Sequence, residues 1–205
     1  MTAAPRTFAR RHRIAALRLF ALLTIPLVFL VQSAWAAHGW IFEMLEILGL
    51  ALVIGAVLGR FWAILYIGGR KQALVLRDGP YSICRHPLYL FSTLGAFGFG
   101  LMLGSFALSV LFGGVVLAVL WATALQEEAH LRAAFGPDYD RYAARVPAIL
   151  PRLSLWSTPQ RIEVDIAHLR GNLLDALVFL ALIPIAEIAD EVREAGLLPA
   201  VLILY

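Results

Sequence analysis

Arg85 and His86 close the run Gly79-Pro80-Tyr81-Ser82-Ile83-Cys84 and precede Pro87-Leu88-Tyr89. The 39 residues that follow, Leu88 to Gln126, contain no Asp, Glu, Lys, Arg or His, and Glu127-Glu128 end that stretch. A guanidinium is a permanent, bidentate donor to carboxylate or phosphate. Pro87 lacks a backbone N–H and has a fixed φ, which suits the first turn of a helix. His86 then sits at a helix start, where free N–H groups and positive partial charge can hold an anion. Tyr81, Tyr89 and Tyr142 offer flat amphipathic surfaces. Glu127 and Glu128 are acceptors for a cation, for ribose hydroxyls or for Arg85. Anion-binding, cation-binding and stacking groups together suit a zwitterionic, aromatic ligand.

These groups meet only if the uncharged run folds as a helical hairpin. Half of the run, about 20 residues at about 1.5 Å each, spans about 30 Å, one hydrocarbon thickness. A break at Leu103-Gly104-Ser105 divides it. The composition agrees: 61% hydrophobic and 15% charged over 205 residues, with a mean hydropathy of +0.81. Soluble domains are about 45–50% apolar and about 25% charged. The reading is an all-α polytopic membrane protein, one membrane domain over 1–205, with about five spans at 14–37, 40–66, 88–104, 105–126 and 172–188. Residues 127–171 form a cap beyond the fourth span. The first apolar run, Ile14 to Trp35, exceeds the roughly 7–15 residues of a signal-peptide core and reads as a retained helix. The tail Leu197–Tyr205 is too short to span and is expected at the interface or against the bundle. Asp190 to Glu194 reads as a charged turn, and Pro184 interrupts the fifth segment.

Lys and Arg cluster before the second span, around 60–87 and in 127–171, and the connections near 38 and 104 carry none. The positive-inside rule therefore places the N-terminus, the 60–87 loop and the cap in the cytoplasm. The net charge of +3 is spread over these boundaries, with no dense basic face for nucleic acid. The single cysteine, Cys84, excludes an intrachain disulfide and a multi-cysteine zinc site. No pair of histidines has helical metal-ligand spacing, and no metal is expected. Cys84 reads as a free thiol that Arg85 is placed to acidify. Arg60 and Trp62 read as interface anchors, with Arg60 also a candidate to hold an acceptor carboxylate. Gly100-x-x-x-Gly104 reads as a helix-packing face.

Within the cap, Glu128, Leu131 and Phe135 share one helical face, Gly136-Pro137 ends that helix, and Asp138 starts a short one carrying Tyr139 and Tyr142 on one side. This element is expected to fold back over the hairpin ends.

The two blocks together resemble the membrane methyltransferase superfamily that contains isoprenylcysteine carboxyl methyltransferase, phospholipid N-methyltransferases and methanethiol S-methyltransferase. The first block is carried by Gly79, Pro80, Tyr81, Arg85, His86, Pro87 and Tyr89, with Phe91 where the family often has glycine. The second is carried by Glu127, Glu128, Leu131, Phe135, Gly136, Tyr139, Tyr142, Val146 and Pro151. The resemblance covers roughly residues 60–152 and implies an integral membrane methyltransferase that binds S-adenosylmethionine without a Rossmann fold. It implies Tyr81, His86, Pro87, Tyr89, Glu127, Glu128, Tyr139 and Tyr142 around the cofactor, with Arg85 and Glu128 as the polar pair nearest methyl transfer. The expected acceptor is lipid-like or lipid-attached and enters from the bilayer. Carboxyl O-methylation leads, with phospholipid amine N-methylation and a non-catalytic structural relative as alternatives. Abundant Ala, Leu and Arg with little Lys point to a bacterial inner membrane.

Overall fold

The hairpin forms, but it is unequal. In a computed structural model describing residues 4–36, 38–67, 75–162, 164, 166, 169, 177–195 and 201–205, helix α4 covers Pro87–Met102 and helix α5 covers Phe106–Phe135. The break lies at Leu103-Gly104-Ser105. Gly104 turns the chain with φ +66°, a conformation that costs glycine little. Ser105 caps α5: its Oγ accepts from Leu108 N at 3.2 Å. With 30 residues, α5 is about 45 Å long. That exceeds the hydrocarbon thickness, so its last turns carry Glu127 and Glu128 past the apolar stretch. By contrast, α4 has 16 residues, about 24 Å.

Ahead of the hairpin stand α1 (Ala4–Leu30), a short strand β1 (Val31–Ser33), α2 (Gly39–Ile67) and the single turn α3 (Pro80–Ile83). The first helix thus ends before the expected Ala37. After the hairpin come α6 (Pro137–Arg145), two 3-10 turns (Leu153–Leu155 and Val178–Ala181) and α7 (Leu182–Glu194). Strand β2 (Leu202–Leu204) then pairs parallel with β1, Val31 opposite Leu202. The chain is predominantly helical, as expected, with this one strand pair added. Asp190 to Glu194 is helix rather than turn. There the Arg193 guanidinium pairs with Asp190 and donates to the carbonyls of Val28, at 3.3 Å, and Val31, at 2.7 Å. Pro184 lies in the first turn of α7, where a missing N–H is harmless. The start of the expected fifth span, 172–176, lies outside the described residues, as do Arg70, Lys71, His168 and Arg170.

Packing centres on α4, wedged between α2 and α5. The α2–α4 crossing is close because Gly49 faces Gly98: a Cβ on Gly49 would lie 2.5 Å from Gly98 O and 2.5 Å from Met102 N. Gly100 instead abuts the backbone of Ser109 in α5. With Gly104 in the turn, the expected Gly100–Gly104 stripe is not one helix face. Phe91 occupies its unusual position because Gly59 of α2 leaves room for its ring. Val53, Phe99, Met102, Leu108, Phe112 and Ala189 form the core at the turn end of the hairpin.

Two helices, α2 and α5, are long and apolar enough to cross a membrane, with only 22% and 33% of their most apolar stretches buried. Leu48, Ile54, Leu58, Val110, Trp121 and Leu125 all face outward. So extended an apolar exterior needs lipid, not water. The protein is membrane-associated.

Candidate active site

At the open end of the hairpin, the loop before α4 is fastened to the strand of chain that follows α6. Arg85 N donates to Pro147 O at 2.9 Å, His86 N to Ala148 O at 3.0 Å, and Arg152 N to Ile83 O at 2.9 Å. Gly79 N donates to Ser157 O at 2.8 Å, and Ser157 N donates to Ser82 Oγ at 3.0 Å. These five N–H groups outside regular structure each gain a carbonyl or hydroxyl. Pro87 occupies the first turn of α4, with His86 as N-cap residue. The amides of Tyr89 and Leu90 already donate to His86 O, at 3.0 and 3.1 Å. The helix start therefore offers an anion less than the sequence suggested, and Arg85 is the main cation there.

Glu128 projects from α5 into this loop and is only 5% exposed. Its Oε1 lies 3.0 Å from His86 Nε2 and 3.3 Å from Arg85 NH2, and its Oε2 lies 3.2 Å from Arg132 NH2. A carboxylate oxygen only accepts, so the hydrogen of His86 is assigned to Nε2, which leaves Nδ1 as the basic nitrogen. The imidazole stacks on Tyr89, centroids 5.3 Å apart and planes 5° from parallel. Burial lowers the His86 pKa below its usual 6.5, and the Glu128 hydrogen bond only partly opposes this. Glu127 also lies within electrostatic reach of His86 and Tyr81.

Arg85 is not saturated. Besides Glu128, its NH1 approaches Ala143 O at 3.5 Å, and its Nε is buried without a partner among the described residues. A buried unpaired donor on a cation is costly, and a ligand anion would satisfy it.

Helix α5 ends at Gly136, and α6 folds back as expected, with Tyr139 and Tyr142 buried on one face against Leu131, Phe135 and Val146. Tyr142 OH donates to Tyr81 O at 2.7 Å and so ties α6 to the loop. Arg77 pairs with Asp138, and Arg132 lies over the Tyr139 ring, 5.5 Å from its centroid. Burial raises the phenols, Tyr139 to about 12, and Tyr81 and Tyr142 well above their usual value. The Cys84 thiol donates to Ala148 O and Ile149 O at 3.3 and 3.1 Å, and burial pushes it up to about 11. The expected acidification by Arg85 is outweighed.

The structure thus brings Tyr81, Arg85, His86, Pro87, Tyr89, Glu127, Glu128, Tyr139 and Tyr142 to one end of the bundle. Arg60 lies apart, bonded to Ser92 Oγ with its guanidinium 5.3 Å from the Phe179 ring centroid. Trp62 meets Trp156, centroids 5.4 Å apart. Sequence reasoning missed Arg132, although Glu128 and Arg132 at i, i+4 are a helical ion pair by spacing alone. It also missed the carbonyls of 147–149, which carry no side-chain signal.

The profile of the phospholipid methyltransferase family matches residues 44–138. Two curated relatives align along nearly the whole chain. The "Cobalt-zinc-cadmium resistance protein CzcN" of Cupriavidus metallidurans is 34% identical over 96% of this chain and 90% of its own length. The "Nickel-cobalt-cadmium resistance protein NccN" of Alcaligenes xylosoxydans xylosoxydans is 33% identical over 97% and 92%. The chain belongs to the phospholipid methyltransferase family. No solved structure gives a significant match. For this family member, the matched segment runs from within α2 to the second residue of α6. It contains Arg85, His86, Glu127, Glu128 and Arg132. Tyr139, Tyr142 and the strand of chain bearing the carbonyls of Pro147 and Ala148 lie beyond it.

Proposed function

We propose that this family member is an integral membrane S-adenosylmethionine-dependent methyltransferase acting on a lipid-like or lipid-attached acceptor. The observation that carries the reading is the buried Glu128 carboxylate, held by Arg85 and His86 from across the hairpin. The residues present fit the cofactor. Arg85, with its unpartnered buried Nε, would hold the carboxylate of the methionine part. The parallel His86–Tyr89 rings would flank its flat base, beside Tyr81 and Pro87. Glu127 would accept from the ribose hydroxyls, and α6, with Tyr139 and Tyr142, would cover the site and exclude water. Of the three tasks its sequence position allows, the contacts of Glu128 favour holding Arg85. With three donors on it, it orients Arg85 and His86 rather than waiting free for a cation. S-adenosylmethionine supplies an electrophilic sulfonium methyl group, and positioning with water exclusion can supply much of the rate.

A carboxylate acceptor needs no base, and carboxyl O-methylation leads for that reason. The family's description favours a second reading, a phospholipid amine acceptor. An amine must lose a proton, and neutral His86, with Nδ1 as its basic nitrogen, is the candidate base. We place the N-terminus, the 60–87 loop and the cap in the cytoplasm of a bacterial inner membrane, with α1, α4 and the α7 region completing five spans. The names of the two relatives suggest that methylation here serves metal tolerance, through a membrane component rather than a bound metal.

Calorimetry of S-adenosylmethionine with the detergent-purified chain tests the reading. Micromolar binding that is lost or sharply weakened in Glu128→Ala and Arg85→Ala is expected. Absence of binding by the folded wild type would sink it and leave the structural-relative reading. A labelled methyl group followed into lipid fractions then separates carboxyl esters from methylated headgroup amines.

A further inference from the structure

The chain after α6 has an interfacial character that the methyl-transfer reading does not use. Trp156 rests on Trp62, near the end of the apolar helix α2, so residues 147–157 lie at the depth of a spanning-helix end, where tryptophan concentrates. Within this stretch Leu150 and Leu153 are 78% and 74% exposed and flank Arg152. Beside them opens a cavity of about 460 Å³, between the last turn of α6 and Pro147–Arg152. Arg85, Arg145 and Arg152 line it, and none of its other lining residues is acidic. Among the described residues, no ion pair joins Arg145 or Arg152 to a carboxylate. Two guanidinium groups without a carboxylate partner, Arg145 and Arg152, beside Arg85 with its Glu128, attract an anion, and guanidinium groups match phosphate oxygens in pairs.

We propose that this cavity binds the phosphate of an anionic phospholipid headgroup, with Leu150 and Leu153 entering the acyl region beside it. This lipid is a bound anchor of the cap, separate from the methyl acceptor. Free phosphate has the same headgroup chemistry, but the two exposed leucines select a lipid, since apolar side chains flanked by basic ones bind anionic interfaces. The inference rests on the preceding reading only through the membrane placement of these helix ends, and its test reads lipid binding rather than methyl transfer.

Native mass spectrometry of the full chain in neutral detergent, titrated with short-chain phosphatidylglycerol or phosphatidylcholine, decides the matter. Phosphatidylglycerol is expected to bind selectively. Each arginine removed is expected to weaken it roughly fivefold, so Arg145→Gln with Arg152→Gln weakens it about 25-fold, with thermal unfolding and S-adenosylmethionine binding unchanged. Leu150→Ser with Leu153→Ser should weaken the lipid and leave inorganic phosphate binding as it was. Should the double arginine variant fold poorly, Arg152→Gln alone, on an exposed side chain, keeps the fivefold readout. Equal binding of phosphatidylcholine, or full binding by the arginine variants, would overturn the proposal. So would displacement by equimolar inorganic phosphate or S-adenosylmethionine, which would give the cavity to a free anion or to the cofactor. Lipid binding without any S-adenosylmethionine binding would leave this inference standing and remove the methyltransferase.

Discussion

Glu128 faces two guanidinium groups of unequal exposure, and the difference sets the outcome of their removal. Glu128→Ala leaves Arg85, 14% exposed, without its counter-charge, and breaking a buried pair from one side costs about 3 kcal/mol. Arg132→Ala removes a partner that is 47% exposed and should cost under about 1 kcal/mol. Thermal unfolding in detergent should therefore show a large drop for the first and a small one for the second, and a reversed order would mean that Arg85 finds its partner elsewhere. His86 sets a pH dependence. Its folded-state pKa lies below 6.5, so as pH falls through that value the unfolded chain takes up a proton before the folded chain does. Stability then falls with acidification between 6.5 and the lower folded value. Unfolding midpoints measured from pH 7 down to 5 should decline more steeply for wild type than for His86→Gln.

Helix α4 can carry the site because it is clamped on both sides. At Gly49 an added methyl meets backbone atoms of α4 at 2.5 Å, which cannot swing away, whereas at Gly59 the nearest atoms belong to the Phe91 ring. Overpacking of this kind costs about 1–3 kcal/mol. Gly49→Ala is expected at the upper end and Gly59→Ala at the lower. Phe91→Ala should rescue Gly59→Ala and leave Gly49→Ala unrescued, a contrast that a double-mutant cycle reads directly. At the level of elements, much was legible in advance. Zero charge over Leu88–Gln126, with Gly104-Ser105 within it, announced a hairpin, and Gly136-Pro137 announced the stop and the return helix. The place of the turn was legible too, at Leu103-Gly104-Ser105; the close α2–α4 crossing at Gly49 and Gly98 and the bond of Ala107 N to Tyr205 O were not, because contacts between remote segments leave no local signal.

Across the whole molecule, the two ends of the bundle do different work. One end holds the ion network. The other is closed by the β1–β2 pair and by Tyr205 O, which accepts from Ala107 N at 2.7 Å and from Ser105 Oγ at 3.0 Å. Gln32 lies opposite Ile203, so Gln32→Cys with Ile203→Cys should form a disulfide readily, since paired strand residues meet its Cα spacing. In sealed cells a membrane-impermeant thiol reagent should reach a lone Cys introduced by Ile203→Cys and miss one introduced by Arg145→Cys, with buried Cys84 silent. The opposite labelling would invert the proposed topology.

The sequence by itself determined that this chain lives in lipid, that a hairpin carries Arg85 and His86 to the same end as Glu127 and Glu128, and that Tyr139 and Tyr142 share a face. These follow from composition, from the absence of charge over a measured length and from helical spacing, all local properties. Only the tertiary structure decided that Glu128 is shared among Arg85, His86 and Arg132, that burial raises the Cys84 thiol rather than letting Arg85 lower it, and that β2 returns to β1. Those outcomes depend on which groups are desolvated together and how far apart they stand. Desolvation and distance are set by packing between segments remote in sequence, and no stretch of residues read alone contains them.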